Sequence, residues 1–456
     1  MTKQLLPSSF RDPSGSVFLQ DDEIYREVKA VYKENYDHLI NSGLYKTLVD
    51  LELLIPHKEV DGRLIESINS YKIIKPELIP FISYPYEWCF SQLKDAALLT
   101  LKIQKNALDY EMTLKDSSAY NIQFKNVKPI LIDTLSFEKY KEDKPWVAYK
   151  QFCEHFLAPL ALMSNKDIRL NQLLKIYLDG IPLDLTSSLL PFKSYLNPSL
   201  LFHIHLHAKS QKHYETKIIN KSKRFNKFNL AALIDSLESI IKNLKWDPAQ
   251  SNWSDYYKNT NYSSGALNHK KEIIESLLLK TRPKTVIDLG ANEGLFSQIA
   301  SKVTEHVISF DLDPICVEKN YLDCLKNQVK NILPLIIDLT NPSGGTGWEN
   351  KERMSFQERF CGDTILALAL IHHLAISNNV PLKNIARFFS SLGKTLIIEF
   401  IPKSDSQVQR LLSSREDIFL DYTQESFENE FKQYFTIEYF AKIKDSKRVI
   451  YHMQRN

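Results

Sequence analysis

Apolar positions along the 456 residues change period several times, and each change marks an element. In residues 16–28, SVFLQDDEIYREV, apolar and polar residues alternate around Gln20-Asp21-Asp22, which predicts two short strands joined by a tight turn. Helical spacing follows from residue 31 to about 54, interrupted near Ser42-Gly43. Residues 71–75 read as a strand and 80–85 as an extended connector, because proline restricts its own backbone and that of the residue before it. Between 87 and 111, Phe90, Leu93, Ala97, Leu101 and Leu108 recur at a helical period and predict one long amphipathic helix. Residues 145–215 are apolar, aromatic and helix-forming. Leu230, Leu233, Ile234, Leu237 and Ile241 put a further stripe on a helix over 229–244.

The rest of the chain follows a different rhythm. Apolar runs at 286–287, 307–310, 332–337, 363–370 and 395–400 alternate with helical segments at 293–303, 314–328, 381–391 and 421–434. Runs at 435–443 and 448–452 then close as a hairpin around Lys444-Asp-Ser-Lys447. Alternating strands and helices predict a parallel, Rossmann-like α/β sheet. Three segments are expected: 1–215, a linker with a lid helix over 216–264, and 265–456.

Composition narrows the class. Charged residues make up 25% and the net charge is +3, which gives no electrostatic reason to expect nucleic acid as a partner. The five cysteines contain no Cys-x-x-Cys pair, so neither a zinc ribbon nor a disulfide framework is indicated. No run reaches the roughly 18 apolar residues of a membrane span, and MTKQLLPSSFRDPSG has no apolar signal core, so a cytoplasmic location is expected. The basic stretch 209–227 reads as an exposed linker.

The most informative stretch is Thr285-Val-Ile-Asp-Leu-Gly-Ala-Asn-Glu-Gly-Leu-Phe-Ser297. A strand ends on Asp288, and a turn bearing Gly290, Asn292 and Gly294 leads into a helix. Glycines let a ligand approach backbone that a side chain would block. Asp311 ends the next apolar run, about 20 residues on, where a carboxylate can accept both ribose hydroxyls of a nucleoside. Asp338 ends the third run. Ile371-His-His-Leu374 follows the fourth, so His372 and His373 stand at the carboxyl edge of the predicted sheet.

The Asp-x-Gly-x-Asn-x-Gly pattern resembles motif I of class I S-adenosylmethionine-dependent methyltransferases, and the resemblance covers roughly residues 265–456. It implies a seven-stranded sheet and S-adenosyl-L-methionine as cofactor. Asp288, Gly290, Asn292 and Gly294 would hold the methionine end, Asp311 the ribose, and Asp338 the adenine amino group. A histidine at the rim, His372 or His373, could deprotonate a hydroxyl near neutral pH. No Asn-Pro-Pro-Tyr signature of amino-group methylation occurs, which favours an oxygen acceptor. Two segments suit a cover for the site: aromatic 246–257, and the glycine-rich insertion 341–355 with Trp348. For each, an anchoring role stands beside the covering one.

The first half has its own constellation. Asp116 and Asn121 are separated by four residues, and a strand over 130–132 delivers Asp133. This resembles the catalytic loop and metal-binding aspartate of the protein-kinase-like fold, an α+β domain. By resemblance Asp116 is the base, and Asn121 and Asp133 hold Mg2+ on ATP. The departures are substantial. Leu114-Lys115 replaces the His-Arg pair, Thr134-Leu135 follows the aspartate, no glycine-rich loop precedes the first hairpin, and only Arg26 or Lys29 could pair a nucleotide. A degenerate kinase-like domain is expected. His203, His205 and His207 would share a face on a strand, but their neighbourhood is helical and favours structural histidines.

Taken with N-terminal stretches such as FRDPSGSVF and FISYPYEWCFSQLKDAALLTLKIQ, the whole chain resembles one bacterial family, the class I methyltransferases related to the nodulation protein NoeA. Three functions are compatible with that resemblance. One is methylation of a hydroxyl on a saccharide or other small molecule. Another is a bifunctional kinase–methyltransferase that phosphorylates an acceptor and then methylates the phosphate. The third is a non-catalytic cofactor-binding partner protein.

Overall fold

The computed structural model describes residues 4–60, 69–214, 226–247, 263–360, 362–413 and 415–456. The chain forms two compact units. The N-terminal unit comprises residues 1–246 together with Gly345–Met354; the C-terminal unit comprises 247–344 and 355–456. No helix among the described residues is long and apolar enough to cross a membrane.

Strands β1 (Gln4–Leu5), β2 (Gly15–Gln20), β3 (Glu23–Lys29), β4 (His57–Val60) and β5 (Ser70–Pro76) form an antiparallel sheet in the order β1-β2-β3-β5-β4. Asp21 and Asp22 both take positive φ, the backbone a two-residue turn needs to match strand twist. Helices α1 (Lys33–Asn41) and α2 (Leu44–Asp50) lie between β3 and β4, broken where Gly43 adopts φ +89°. The predicted long helix is α3 (Phe90–Asp109); Leu93, Ala97, Leu101 and Leu108 are all buried. Its start is fixed by Gln92, whose side chain accepts the Cys89 N–H at 3.0 Å.

Four short strands follow: β6 (Met112–Leu114), β7 (Ile122–Lys125), β8 (Lys128–Leu131) and β9 (Phe137–Lys139). β6 pairs with β9, and β7 with β8, all antiparallel. Asp116 and Asn121 therefore sit between β6 and β7, and Asp133 between β8 and β9. The remainder of the unit is helical: α4 (Tyr149–Phe152), α5 (Ala158–Asn165), α6 (Leu183–Leu189), α7 (Pro198–Leu200), α8 (His207–Tyr214) and α9 (Lys227–Asn243). The helix expected over 229–244 is α9, and it belongs to the N-terminal unit. Most of the basic linker and the aromatic 248–257 stretch lie outside the described residues.

In the C-terminal unit, α10 (Ser264–Thr281) precedes β10 (Thr285–Leu289). Then come α11 (Leu295–Ser301), β11 (His306–Asp311), α12 (Pro314–Lys326), β12 (Ile332–Ile336), α13 (Phe356–Arg359), β13 (Gly362–Ala367), α14 (Leu382–Leu392) and β14 (Gly393–Phe400). Helices α15 (Ser406–Leu412) and α16 (Gln424–Lys432) lead to β15 (Phe435–Lys442) and β16 (Val449–Arg455). The sheet order is β12-β11-β10-β13-β14-β16-β15. The first five strands are parallel, and β16 and β15 add antiparallel. This is the mostly parallel seven-stranded α/β sheet with a closing hairpin that the alternation predicted. The inner strands are nearly all apolar because both faces are covered. Strand order reverses between β10 and β13, so the crevice for a ligand opens at the carboxyl ends of those two strands.

Candidate functional site

At the carboxyl end of β10 the chain turns through three left-handed residues, Gly290 (φ +77°), Asn292 (φ +53°) and Gly294 (φ +85°). The N–H groups of Gly290 and Ala291 both reach the Phe310 carbonyl of β11 at 2.9 Å, which presses the turn against the neighbouring strand. Gly294 is required twice over. A Cβ there would stand 2.5 Å from Asn320 Cγ, and its φ suits no other residue well. Asn320 cannot easily yield, since it is buried and donates to Ser309 Oγ at 2.8 Å.

The carboxylates divide into two kinds. Asp288 is buried and accepts the Ser297 hydroxyl of α11 at 2.7 Å, so it braces the helix after the turn from inside. Burial pushes its carboxyl up to about 6. Asp311 is half-buried at the end of β11. Its Oδ2 accepts the Asn292 N–H of the turn at 2.7 Å, and its Oδ1 accepts the Asp313 N–H at 2.9 Å. Burial raises it to about 6 as well, against the lowering effect of those backbone donors. Asp313 caps α12 by accepting the Ile315 N–H at 2.8 Å. Asp338, just past β12, takes the Thr340 N–H (2.8 Å) and hydroxyl (2.6 Å) on one oxygen, Oδ1. The Ile337 N–H bonds the Asp311 carbonyl at 2.9 Å, which brings the last two carboxylates to adjoining strand ends.

His372 and His373 follow β13 in a turn of π-helical pitch, His373–Ser377. Their rings lie 4.2 Å apart. His372 is buried and its Nδ1 has no protein partner. Burial, then His373 and the cations Arg448 and Lys270, hold it well below the usual imidazole range. A neutral imidazole is the form able to take a proton, although a weakened base takes it less readily. The carbonyl of Ile376 is held by the Arg415 guanidinium, which fastens the turn to the segment after α15.

The sequence placed Glu399 and Asp405 at a strand's carboxyl end, as residues that could line an acceptor pocket, but did not reveal their partners Lys270 and Arg448. Lys270, the Glu399–Asp405 stretch and Arg448 are brought together from three separate segments, and nothing local to any of them signals the others.

In the N-terminal unit the three kinase-like positions are engaged internally. Asp133 Oδ1 pairs with Arg26 of β3 at 2.7 Å and also receives the Leu135 N–H, while its Oδ2 accepts the Ser136 hydroxyl. Arg26 holds Asp12 as well, at 2.6 Å. Asn121 donates to Ser136 Oγ at 3.4 Å, and Asp116 accepts the Ser118 N–H at 2.9 Å. Lys115 donates to Ser14 Oγ at 2.6 Å. Ser136 thus bridges Asn121 and Asp133, whereas Asp116 is occupied by its own loop. Among the described residues no three His, Cys, Asp or Glu side chains are placed to hold a metal ion.

Two further expectations resolve. His203 is hydrogen-bonded between Tyr149 and Ser236, and His205 between Ser187 and Ser194. His207 stacks on Tyr149 at 4.8 Å, so these histidines serve helix packing. Residues Gly345–Met354 of the glycine-rich insertion group with the N-terminal unit. There Arg353 lies 4.6 Å over the Tyr120 ring and Glu352 pairs with Arg11 at 3.0 Å. Trp348 is 66% exposed, so it does not anchor the loop.

No protein-family model matches the sequence. The nodulation protein NoeA of Rhizobium meliloti (strain 1021) is 36% identical over 457 residues, covering 98% of this chain and 95% of its own. Among solved structures, the N-methyltransferase NodS from Bradyrhizobium japonicum WM9 overlaps 42% of this chain and 98% of its own, at 10% identity and a TM-score of 0.31. The magnesium protoporphyrin IX methyltransferase of Synechocystis PCC 6803, with bound SAH, overlaps 45% of this chain and 93% of its own, at 14% identity and a TM-score of 0.32.

Proposed function

The chain belongs to the family of the nodulation protein NoeA, and from that premise we propose that it is an S-adenosyl-L-methionine-dependent methyltransferase acting on a hydroxyl of a saccharide or another small molecule. One observation carries the reading. The Asp311 carboxylate, at the end of β11, is fastened by the Asn292 N–H to the glycine turn of β10, with Asp338 at the next strand end. A nucleoside cofactor fits that donor set. Asp311 would bind the ribose diol, Asp338 the adenine amino group, and the Gly290–Gly294 backbone the methionine end.

When bound, the cofactor supplies an electrophilic methyl on a sulfonium. The chain's own work is alignment and proton removal. Asp288 and Ser297 set the helix that follows the turn. His372, buried and neutral, is the group we assign to take the acceptor hydroxyl's proton at Nδ1, with His373 beside it. For the N-terminal unit we infer a degenerate kinase-like domain that binds the acceptor. Its sheet, its long helix and the placement of Asp116, Asn121 and Asp133 support the kinase-like reading. Arg26 on Asp133 argues against phosphotransfer, because a guanidinium already neutralises the carboxylate a metal would need.

Calorimetric titration of the intact protein with S-adenosyl-L-methionine tests the proposal. Binding should weaken about 10- to 100-fold in Asp311→Ala, the loss of a charge-assisted hydrogen bond of about 1.5–3 kcal/mol. A wild-type protein that does not bind would refute it. Transfer of labelled methyl to a panel of mono- and disaccharides then addresses the acceptor.

A further inference from the structure

Three charged side chains of the C-terminal unit are buried together, Lys270 on α10, Glu399 on β14 and Arg448 just before β16, with the partly buried Asp405 at the start of α15 beside them. Glu399 Oε2 accepts from Lys270 Nζ at 2.7 Å and from the backbone N–H of Ala369 at 2.8 Å. Arg448 Nη1 stands 3.6 Å from Glu399 Oε1 and grips Asp405 through Nε (2.7 Å) and Nη2 (3.1 Å). Lys270 and Glu399 are almost fully enclosed. Ion pairs this deep seldom add stability over apolar residues of the same volume, so the arrangement calls for a role beyond stability.

The Ala369 bond supplies one. Ala369 has φ +51°, a conformation that a residue with a Cβ seldom takes unless its surroundings impose it. It opens the turn that carries His372. Within that turn the His373 N–H returns to the Leu370 carbonyl at 2.9 Å. The same Lys270 ammonium lies 4.7 Å over the ring of Phe296, on the helix that follows the glycine turn. One lysine therefore touches the element after Gly294 and, through Glu399, the element that bears His372.

We infer that Glu399 is a positioning residue: by accepting the Ala369 N–H it fixes the 369–373 turn, and with it His372, against the glycine turn. Lys270 and Arg448 hold the carboxylate in place for that bond. The chemical meaning of the inference rests on the methyltransferase reading, since a displacement of about 1 Å in a reacting group is what costs an enzyme ~100-fold in rate.

The test separates the hydrogen bond from the charge. Lys270→Met removes the ammonium, and on that background Glu399→Gln keeps an acceptor for Ala369 while Glu399→Met does not. The two double variants carry the same charge and similar volume. Full-length protein labelled at histidine Cε1 and alanine nitrogen is followed by NMR, with the His372 signal identified by its loss in His372→Asn. The Glu399→Gln double variant should show a single His372 signal and a slowly exchanging Ala369 amide. In the Glu399→Met double variant that amide should exchange at least tenfold faster and the His372 signal should move or split. Indistinguishable spectra for the two variants would overturn the inference. If the Glu399→Met variant does not fold, adding Ala369→Gly to both double variants removes the demand at φ +51°, and the His372 signals of the two must still differ. Titration of S-adenosyl-L-methionine into the wild-type protein is read separately. Its failure would defeat the methyltransferase reading and leave the spectral comparison standing.

Discussion

Arg26 Nη1 lies 2.7 Å from Asp133 Oδ1, joining the middle of β3 to the residue where a kinase-like fold would hold its metal. Both side chains are largely buried, and Arg26 also pairs with Asp12. Calorimetry with ATP and Mg2+ should therefore give no saturable heat. Arg26→Met, which strands two carboxylates, should lower stability by about 2–4 kcal/mol, seen as a shift in the urea midpoint with little change in slope. Micromolar ATP binding that disappears in Asp133→Ala would instead restore the bifunctional kinase–methyltransferase to consideration.

The two glycines of the turn should respond unequally. At Gly290 an added Cβ would meet Leu370 Cδ1 at 3.3 Å, the movable end of a side chain. At Gly294 it would run into the anchored Asn320 amide. Gly290→Ala should cost about 1 kcal/mol for its left-handed backbone alone, whereas Gly294→Ala adds a steric clash and should cost about 2–3 kcal/mol. Thermal melts with and without S-adenosyl-L-methionine check both, and ligand stabilisation should vanish in Gly294→Ala. Equal effects at the two positions would contradict this account.

On the proposed assignment, Asp311 should make cofactor affinity depend on pH. Its folded carboxyl is raised to about 6, so the ionised acceptor a ribose diol needs is lost as pH falls through that value. Affinity should be flat from pH 8 to 7 and then fall, approaching tenfold per unit below about 6. Asp311→Asn should bind weakly and lose that slope. The effect on stability has the opposite sign. A carboxyl raised on folding stabilises the fold at low pH, and that contribution is lost as pH rises through about 6. A binding profile that stays flat to pH 5 would remove Asp311 from the site.

Most of the C-terminal sheet was legible in the sequence because strands covered on both faces read as apolar runs ending in Asp288, Asp311 and Asp338. The long helix and the first hairpin of the N-terminal unit were legible for the same kind of reason, a period sustained over enough residues. Pairings across the chain were not. Arg26 with Asp133, or Lys270 with Glu399, are single charged residues in unrelated segments, and only the packed fold shows that each neutralises the other. The anchoring of the glycine-rich insertion was not legible either. Its glycines signalled freedom beside Asp338, but Glu352 and Arg353 find partners in Arg11 and Tyr120, which tie it into the N-terminal unit.

Buried histidines should make the N-terminal unit sensitive to acid. His155 and His203 are enclosed, and burial lowers each to about 4. Above pH 6.5 they are neutral folded or unfolded and contribute nothing to the pH dependence. As pH falls below 6.5 the unfolded chain takes up their protons while the folded chain does not. Stability is therefore lost from about 6.5 down to about 4, at up to about 1.4 kcal/mol per pH unit for each histidine. Glu154, raised to about 7 mainly by burial, works the other way and offsets part of the slope. Urea midpoints measured between pH 7.5 and 5 should fall in the wild type and fall less steeply in His155→Gln/His203→Gln. A double variant whose slope matches the wild type would show that these imidazoles are already protonated in the folded protein.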